Sequence, residues 1–250
     1  MNHVNKTGAV LTNVTCDNPR VNVAMLTSLG AILSGDNPQP YLKQRNIMGL
    51  NVLAFLDPPH LIKLTRNTLG DLGVLLDKAN KKILWVYIRR LHELQKMQGM
   101  HLANKLKQEH IDYSKNRMKV RLATQVISQS VANSLLHCLT NLELPQFDSV
   151  EATAKFLKTF DILFDIHNSR YIDGKFSKAP LGKKNYEIWS TNMKFCEDYI
   201  YGLKYKDGKS VLTGPRKAAF IGWLNDIRVI RIMYENYILK GITIQYIIHL

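Results

Sequence analysis

The chain has 250 residues, 46% of them hydrophobic and 22% charged, which is enough apolar material for one large domain or two small ones and points to a globular rather than a disordered chain. Thirty-four Lys and Arg against twenty Asp and Glu give a net charge of +14, a balance that favours polyanions such as DNA, RNA or nucleotide phosphates without naming one. Cys16, Cys138 and Cys196 stand far apart with no C-x-x-C pair, so neither a disulfide framework nor a zinc site is written here.

No apolar run reaches the roughly 18 to 20 residues of a membrane span, and the N-terminus lacks the charged-then-apolar order of a signal peptide. The expectation is a cytosolic or nuclear chain with no membrane partner.

Residues 1–60 read as a piece of a mixed α/β domain. Ala9 to Leu11 with Val14 and Thr15 predict a short buried strand ending at Cys16-Asp17, and Asn18-Pro19 predicts a turn. A helix is predicted from Val21 to Leu33, stopped by the stretch from Gly35 to Pro40. Ile47 to Leu56 predicts a second apolar strand, closed by Asp57-Pro58-Pro59. Two strands do not make a stable sheet alone, so further partners are expected.

From Leu61 onward the periodicity is helical. The predicted helices are Leu61 to Leu76, with Gly70 and Gly73 as candidate break points, Ile83 to Met97 stopped by Gly99, and His101 to Ile111. Met118 to Leu139, Ser149 to Arg170, Tyr186 to Lys204 and Thr213 to Lys240 follow, with breaks at Pro145, Asp173-Gly174 and Asp207-Gly208.

The stretch Asn104 to Ala132 organises this half. Met118, Val120, Leu122, Val126, Ile127, Val131, Leu135 and Leu136 put an apolar stripe on a helix, while Lys115, Arg117, Lys119 and Arg121 crowd its first turns. Four cations there oppose the helix macrodipole, worth about 0.3 to 1 kcal/mol for a charge of the favoured sign. Two readings follow: a solvated charged approach to a core helix, or a place for an anion that backbone N–H groups already favour.

Standard nucleotide motifs are missing. A P-loop needs G-x-x-x-x-G-K-[ST]; Gly208-Lys209-Ser210 supplies only its end, and five residues rather than four separate it from Gly202. A hairpin or helix-helix turn is the expectation there. There is no G-x-G-x-x-G, and neither Asn80-Lys81 nor Asn104-Lys105 is followed two residues on by Asp, as the guanine-reading motif of a small GTPase requires. His101, His110 and His167 lack the i, i+4 spacing of a metal site and read as surface or helix-end histidines.

The words NKLK, HI and MKVRLATQVISQSVA, with DPPHLIKLTRN before them and FDILFDIHNSR and PRKAAFIGWL after them, resemble the P-element-type DNA transposases, the THAP-domain-containing transposase family included. The matches keep their order over roughly residues 10 to 245. The resemblance implies a mainly α fold: a partial RNase H-like α/β catalytic segment over 1–60, a helical GTP-binding insertion domain over 61–245, and the start of the RNase H-like C-terminal part over 246–250.

The same resemblance implies residue roles. TCDNPRVN is similar to the strand delivering the second catalytic aspartate, which makes Asp17 the catalytic and metal-binding candidate with Asn22 beside it and Asp57 as the alternative. An Asp before a helix is more commonly its N-cap, and that reading stays open for Asp17. In the family a carboxylate triad holds two Mg2+ ions for strand cleavage and joining. Its first aspartate is expected upstream of Met1 and its glutamate beyond Leu250, so no transposase activity is expected from this chain alone.

Lys105, Lys119, Val120 and Ser128 are similar to the family's phosphate-contacting positions, and the chemistry fits, since lysines act as point charges and a helix start and hydroxyl add donors. Phe164 would cover a guanine, Asp165 would accept from its N1 and N2 hydrogens, and Asn168 lies nearby; the register between Asp161 and Asp165 is open by one helical turn. Phe160, Leu163, Phe164 and Ile166 also read as an ordinary core stripe, and Ser128 as a residue of a polar helix face. A second family aspartate from the absent C-terminal segment also reaches guanine, so GTP is expected to bind here about 10- to 150-fold more weakly.

The cofactors implied are GTP, as a positioning cofactor that is not hydrolysed, and Mg2+. The partner implied is DNA at transposon ends, with a homo-oligomer left open. The charge alone supports a different class, a non-enzymatic basic nucleic-acid-binding module.

Overall fold

The structure, a computed structural model, describes residues 6, 10–17, 20–33, 37–99, 102–169 and 178–241. The expectations at Ala9, Asn18-Pro19, Gly35, His101, Asp173-Gly174 and 246–250 lie outside the described residues. The chain is mainly helical with a small α/β part, as the resemblance implies. Its contacts divide it into two compact units: one of Met1–Leu61, Asp165–Glu197 and Lys217–Leu250, the other of Ile62–Phe164 and Asp198–Arg216.

The first unit is built on a three-stranded sheet. Strand β1 is Asn13–Cys16, helix α1 Arg20–Ser28, β2 Tyr41–Arg45 and β3 Asn51–Leu56, in the sheet order β1-β3-β2. β1 runs parallel to β3, with Cys16 opposite Leu56, and β2 runs antiparallel to it. Val52 to Leu56 are all buried, which is why an unbroken apolar run becomes the central strand. The missing partner is β2, whose sequence YLKQR carries no apolar alternation because an edge strand need bury only part of one face.

In this unit α9, Lys217–Met233, packs on β3. The amide of Asn225 donates to the Ala54 carbonyl at 2.9 Å, and the Asp226 carboxyl accepts the Leu56 N–H, also at 2.9 Å. The helix continues as a π turn, Tyr234–Ile238, where the Tyr237 hydroxyl accepts from the Asn46 amide at 2.9 Å.

The second unit is a helical layer around a short hairpin. Helix α2, Pro58–Leu72, ends at Gly73, whose φ of 70° only glycine adopts without strain. The helix expected to reach Leu76 therefore stops short, and Val74–Leu76 (β4) pairs with Lys82–Leu84 (β5). Helix α3 is Trp85–Gln98, closed by Gly99 in the left-handed conformation, as expected. Then come α4 (Gln108–Ile111), α5 (Val120–Val126), α6 (Gln129–Thr140) and α7 (Glu151–His167), whose residues from Asp165 onward count with the first unit, as does α8 (Tyr186–Gly202) up to Glu197.

Ile83, Ile88, Leu91, Leu122, Val126, Leu135, Phe156 and Phe160 form the core of this unit. The segment Asp207-Gly208-Lys209 is a tight turn between the bridged residues Lys204 and Ser210, with Gly208 at φ 83°, in agreement with the turn reading of the incomplete P-loop.

Candidate functional site

The single helix predicted from Met118 to Leu139 is two. Ser128 sits between α5 and α6 in an extended conformation, φ −148° and ψ 151°, and its side chain accepts from the Val131 N–H at 3.3 Å as the N-cap of α6. Its hydroxyl also donates to the Gln125 carbonyl at 3.1 Å. A serine whose own oxygen satisfies the backbone competes with helix continuation, and that breaks the run while leaving the apolar stripe intact. The Gln129 N–H donates to the Asp161 carboxylate at 3.0 Å, so a second oxygen serves the same helix start.

Two adjoining cavities open beside this break. The larger, about 360 Å³, is lined by residues of 102–106 and by Thr124, Gln125, Ser128, Ser130 and Val131, with Lys105 in its wall. The smaller, about 270 Å³, shares Asn104, Lys105 and Gln125 and adds Lys107, Glu109, His110, Arg121 and Leu122. Lys105, Lys107 and Arg121 thus face one region with a single carboxylate, Glu109, among them. Such a region draws anions, because summed cation fields in a concave, partly desolvated wall reinforce one another.

The four crowded cations divide their work. Arg117 turns to Asp71 of α2, Arg121 lines the smaller cavity, Lys115 lies in the 3-10 turn Tyr113–Asn116, and Lys119 is the exposed N-cap residue of α5 with Val120 as the first helical position. Lys119 and Val120 line neither cavity.

The turn ahead of α5 is held from beneath. Arg66, fully buried on α2, donates from Nη2 to the carbonyls of Asn116 and Arg117 at 3.3 and 3.2 Å and from Nε to the Asn67 side chain at 2.7 Å. Burial pulls this guanidinium down to about 10.

On α7, Phe164 is half-buried, and the Asp165 carboxylate lies 3.4 Å from the Lys178 ammonium. Burial raises the Asp165 carboxyl above its ordinary range, and Lys178 only partly opposes this. The Asn168 N–H donates to the Asp165 carbonyl at 3.3 Å, closing the helix. The two aspartates one turn apart therefore have different work: Asp161 serves the start of α6 and Asp165 meets Lys178.

In the first unit, Asp17 and Asp57 directly follow the C-terminal ends of the neighbouring parallel strands β1 and β3. The Asp57 N–H donates to the Cys16 carbonyl at 3.0 Å, and its carboxylate accepts the His60 N–H at 3.0 Å, the first turn of α2. Asp17 is exposed, 3.8 Å from His60 Nδ1, and its backbone carbonyl accepts from the Asn22 amide at 3.2 Å. Asp226 is wholly buried behind them, and burial raises its carboxyl well above the usual range. Among the described residues no three His, Cys, Asp or Glu side chains gather as a metal-holding group, so the carboxylates described do not by themselves fit a two-metal site.

Two histidines take the helix-end alternative of the sequence reading, His110 in the last turn of α4 and His167 as the last residue of α7. His110 is 2% exposed and His167 fully buried, the latter edge-on to Trp223 with ring centroids 5.3 Å apart. Neither is a surface residue, because each ring fills a packed interior position. Gln125 and Lys107 were not singled out by the sequence, since a lone polar residue at a helix end carries no periodic signal; Arg121 was, as one of the four crowded cations.

A helical unit with two adjoining cation-lined cavities at a capped helix break, in a chain that also carries a small α/β unit, defines the class. Residues 59–180 match the family described as TNP-like, GTP-binding insertion domain. The chain is a relative of the P-element-type transposases. It is 28% identical over 233 residues to DNA transposase THAP9 of Homo sapiens, covering 92% of this chain and 25% of that protein. It is 33% identical over 122 residues to the Transposable element P transposase of Drosophila melanogaster, covering 48% of this chain and 16% of that protein. Its fold matches the Drosophila P element transposase strand transfer complex with a TM-score of 0.75 at 23% identity, over 97% of this chain and 53% of that one. The chain thus spans about a quarter or less of the curated relatives it matches.

No helix among the described residues is long and apolar enough to cross a membrane.

Proposed function

We propose that this chain binds GTP in its helical unit as a positioning cofactor for DNA, within a transposase-type or transposase-derived protein of the nucleus, and that it neither cleaves nor joins DNA by itself. The observation that carries the reading is the cavity pair walled by Lys105 and Ser128 inside the stretch that matches a GTP-binding insertion family. Lysine charges and a serine hydroxyl suit phosphate oxygens, and a cavity of about 360 Å³ is of ligand size. Lys119 and Val120 at the start of α5 add a further charge and backbone donors. Phe164, Asp165 and Asn168 are the residues proposed to set the choice of base.

Asp17, with Asp57 as the alternative, is proposed as one of the metal-binding carboxylates. DNA as a partner rests on the relatives, which are named as transposases, and on the +14 charge. The test is heat stability and calorimetric titration of the chain with GTP and ATP, with and without Mg2+. GTP is expected to raise the melting temperature and ATP not to, with the shift lost in Lys105→Ala and Lys119→Ala. Base selectivity is expected to fall in Asp165→Asn.

The net charge favours a second reading, a basic nucleic-acid-binding module. Its mark is binding to duplex DNA that weakens steeply with salt and is indifferent to GTP.

A further inference from the structure

Gln125 stands where the two cavities meet, since it lines both with Asn104 and Lys105. Its side-chain carbonyl lies 2.9 Å from His110 Nε2. The other ring nitrogen, Nδ1, lies 3.0 Å from the Lys107 backbone nitrogen at the start of α4. A backbone N–H only donates, so Nδ1 accepts and the ring proton of neutral His110 sits on Nε2. Nε2–H then donates to Gln125, which fixes the amide with its oxygen toward the ring and its NH2 group away from it.

A glutamine amide ordinarily exchanges its two ends at little cost; here the buried histidine removes the choice. Among the described residues the Gln125 NH2 group makes no hydrogen bond, while Lys105, Lys107 and Arg121 line the same walls. A fixed pair of neutral N–H donors amid three cations suits an oxyanion.

We infer that Gln125 donates to a phosphate oxygen at the junction of the two cavities, and that His110 is the positioning residue that holds its amide in donor orientation. The ligand's identity as a nucleotide rests on the function proposed above; the phosphate chemistry does not.

The experiment is calorimetric titration of the chain with GTP and, separately, with inorganic tripolyphosphate, for the wild type, Gln125→Met, Gln125→Glu and His110→Phe. Gln125→Met removes the donor at nearly unchanged size and charge and is expected to weaken both ligands roughly ten- to a hundredfold; it also takes the acceptor from His110 Nε2–H, so a lower unliganded melt is expected and affinities are compared well below both melts. Gln125→Glu keeps an acceptor for His110 but turns a carboxylate toward the phosphate, and a still larger loss is expected. His110→Phe alone is expected to weaken binding severalfold, and to add nothing in the Gln125→Met background, because its effect runs through Gln125. Additive losses would overturn the positioning role.

If tripolyphosphate binds and GTP does not, with Gln125→Met still weakening it, the inference stands and the nucleotide reading falls. If GTP binds the wild type and Gln125→Met equally well, the inference falls and the nucleotide reading stands. If neither ligand binds the wild type, both fall.

Discussion

Arg117 holds Asp71 with both ends of its guanidinium, Nη1 3.1 Å from Oδ2 and Nη2 against Oδ1, while Arg216 reaches the same carboxylate at 2.7 Å. The Tyr113 hydroxyl donates to Oδ1 at 2.9 Å. One carboxylate thus ties the turn ahead of α5 and the segment before α9 to α2, all within the second unit. Burial raises the Asp71 carboxyl, but the hydrogen bonds from Arg117 and Tyr113 and the charges of Arg117 and Arg216 outweigh it and hold it below the usual range.

A depressed carboxyl stabilises the fold above its unfolded value, about 3.9, and that contribution is lost as pH falls through the lower folded value. Wild-type stability is expected to drop on acidification below about pH 4. In Asp71→Asn that part of the drop is expected to vanish, with lower stability at pH 7, because two arginines lose their shared partner. Melting temperature against pH for the two proteins checks both statements.

Gly70 makes room for this cluster. A Cβ there would lie 2.4 Å from Tyr113 Cζ, and the ring is held by its Asp71 bond and by the Arg66 guanidinium 5.4 Å from its centroid. Gly70→Ala gains about 1 kcal/mol of helix propensity but is expected to lose about 1 to 3 kcal/mol by overpacking. Replacing Tyr113 by Ala in the same chain is expected to relieve the clash, so the double variant should be less destabilised than the two single losses sum to. Urea denaturation of the four proteins measures that coupling.

These contacts also mark how far the sequence could be read. Val52 to Leu56 and the apolar stripe from Leu122 to Leu135 were legible, because burial on a fixed face leaves a period. β2 and the β4-β5 hairpin were not: YLKQR has no alternation, and Val74–Leu76 looked like the tail of α2 until Gly73 broke it. At the cavities, Lys105 and Ser128 came from resemblance, while Ser128 as an N-cap follows from geometry alone. Asp71, Arg66 and Arg117 carry no sequence signal as a group, since their meeting depends on long-range packing. The same holds for His110 and Gln125.

Asp226 gives the opposite pH sign. It is wholly buried, one carboxyl oxygen accepts the Leu56 N–H at 2.9 Å, and its carboxyl is raised mainly by burial. A raised carboxyl contributes stability that is complete below the unfolded value of about 3.9 and is lost as pH rises toward the folded one. Asp226→Asn keeps the acceptor for Leu56 and removes the ionisation, so it is expected to melt higher than wild type at pH 8 and equally at pH 4. Asp226→Ala leaves that N–H unsatisfied and is expected to cost about 1 to 3 kcal/mol at either pH. Calorimetric melts at the two pH values separate the variants.

Ser128 has two roles that substitution can part. Its side chain caps α6 through the Val131 N–H, and it lines the larger cavity. Ser128→Ala removes both, with a loss of about 1 kcal/mol from the cap and weaker GTP binding. Ser128→Asp restores an acceptor for the Val131 N–H and places negative charge at a helix start, which favours the fold. The same charge opposes a phosphate in the cavity. Thermal melts and GTP titrations should therefore diverge: the aspartate variant is expected to melt at or above wild type yet bind GTP more weakly than the alanine variant. If the alanine variant keeps wild-type affinity, Ser128 is a cap alone, and the phosphates lie toward Lys107 and Arg121 in the smaller cavity.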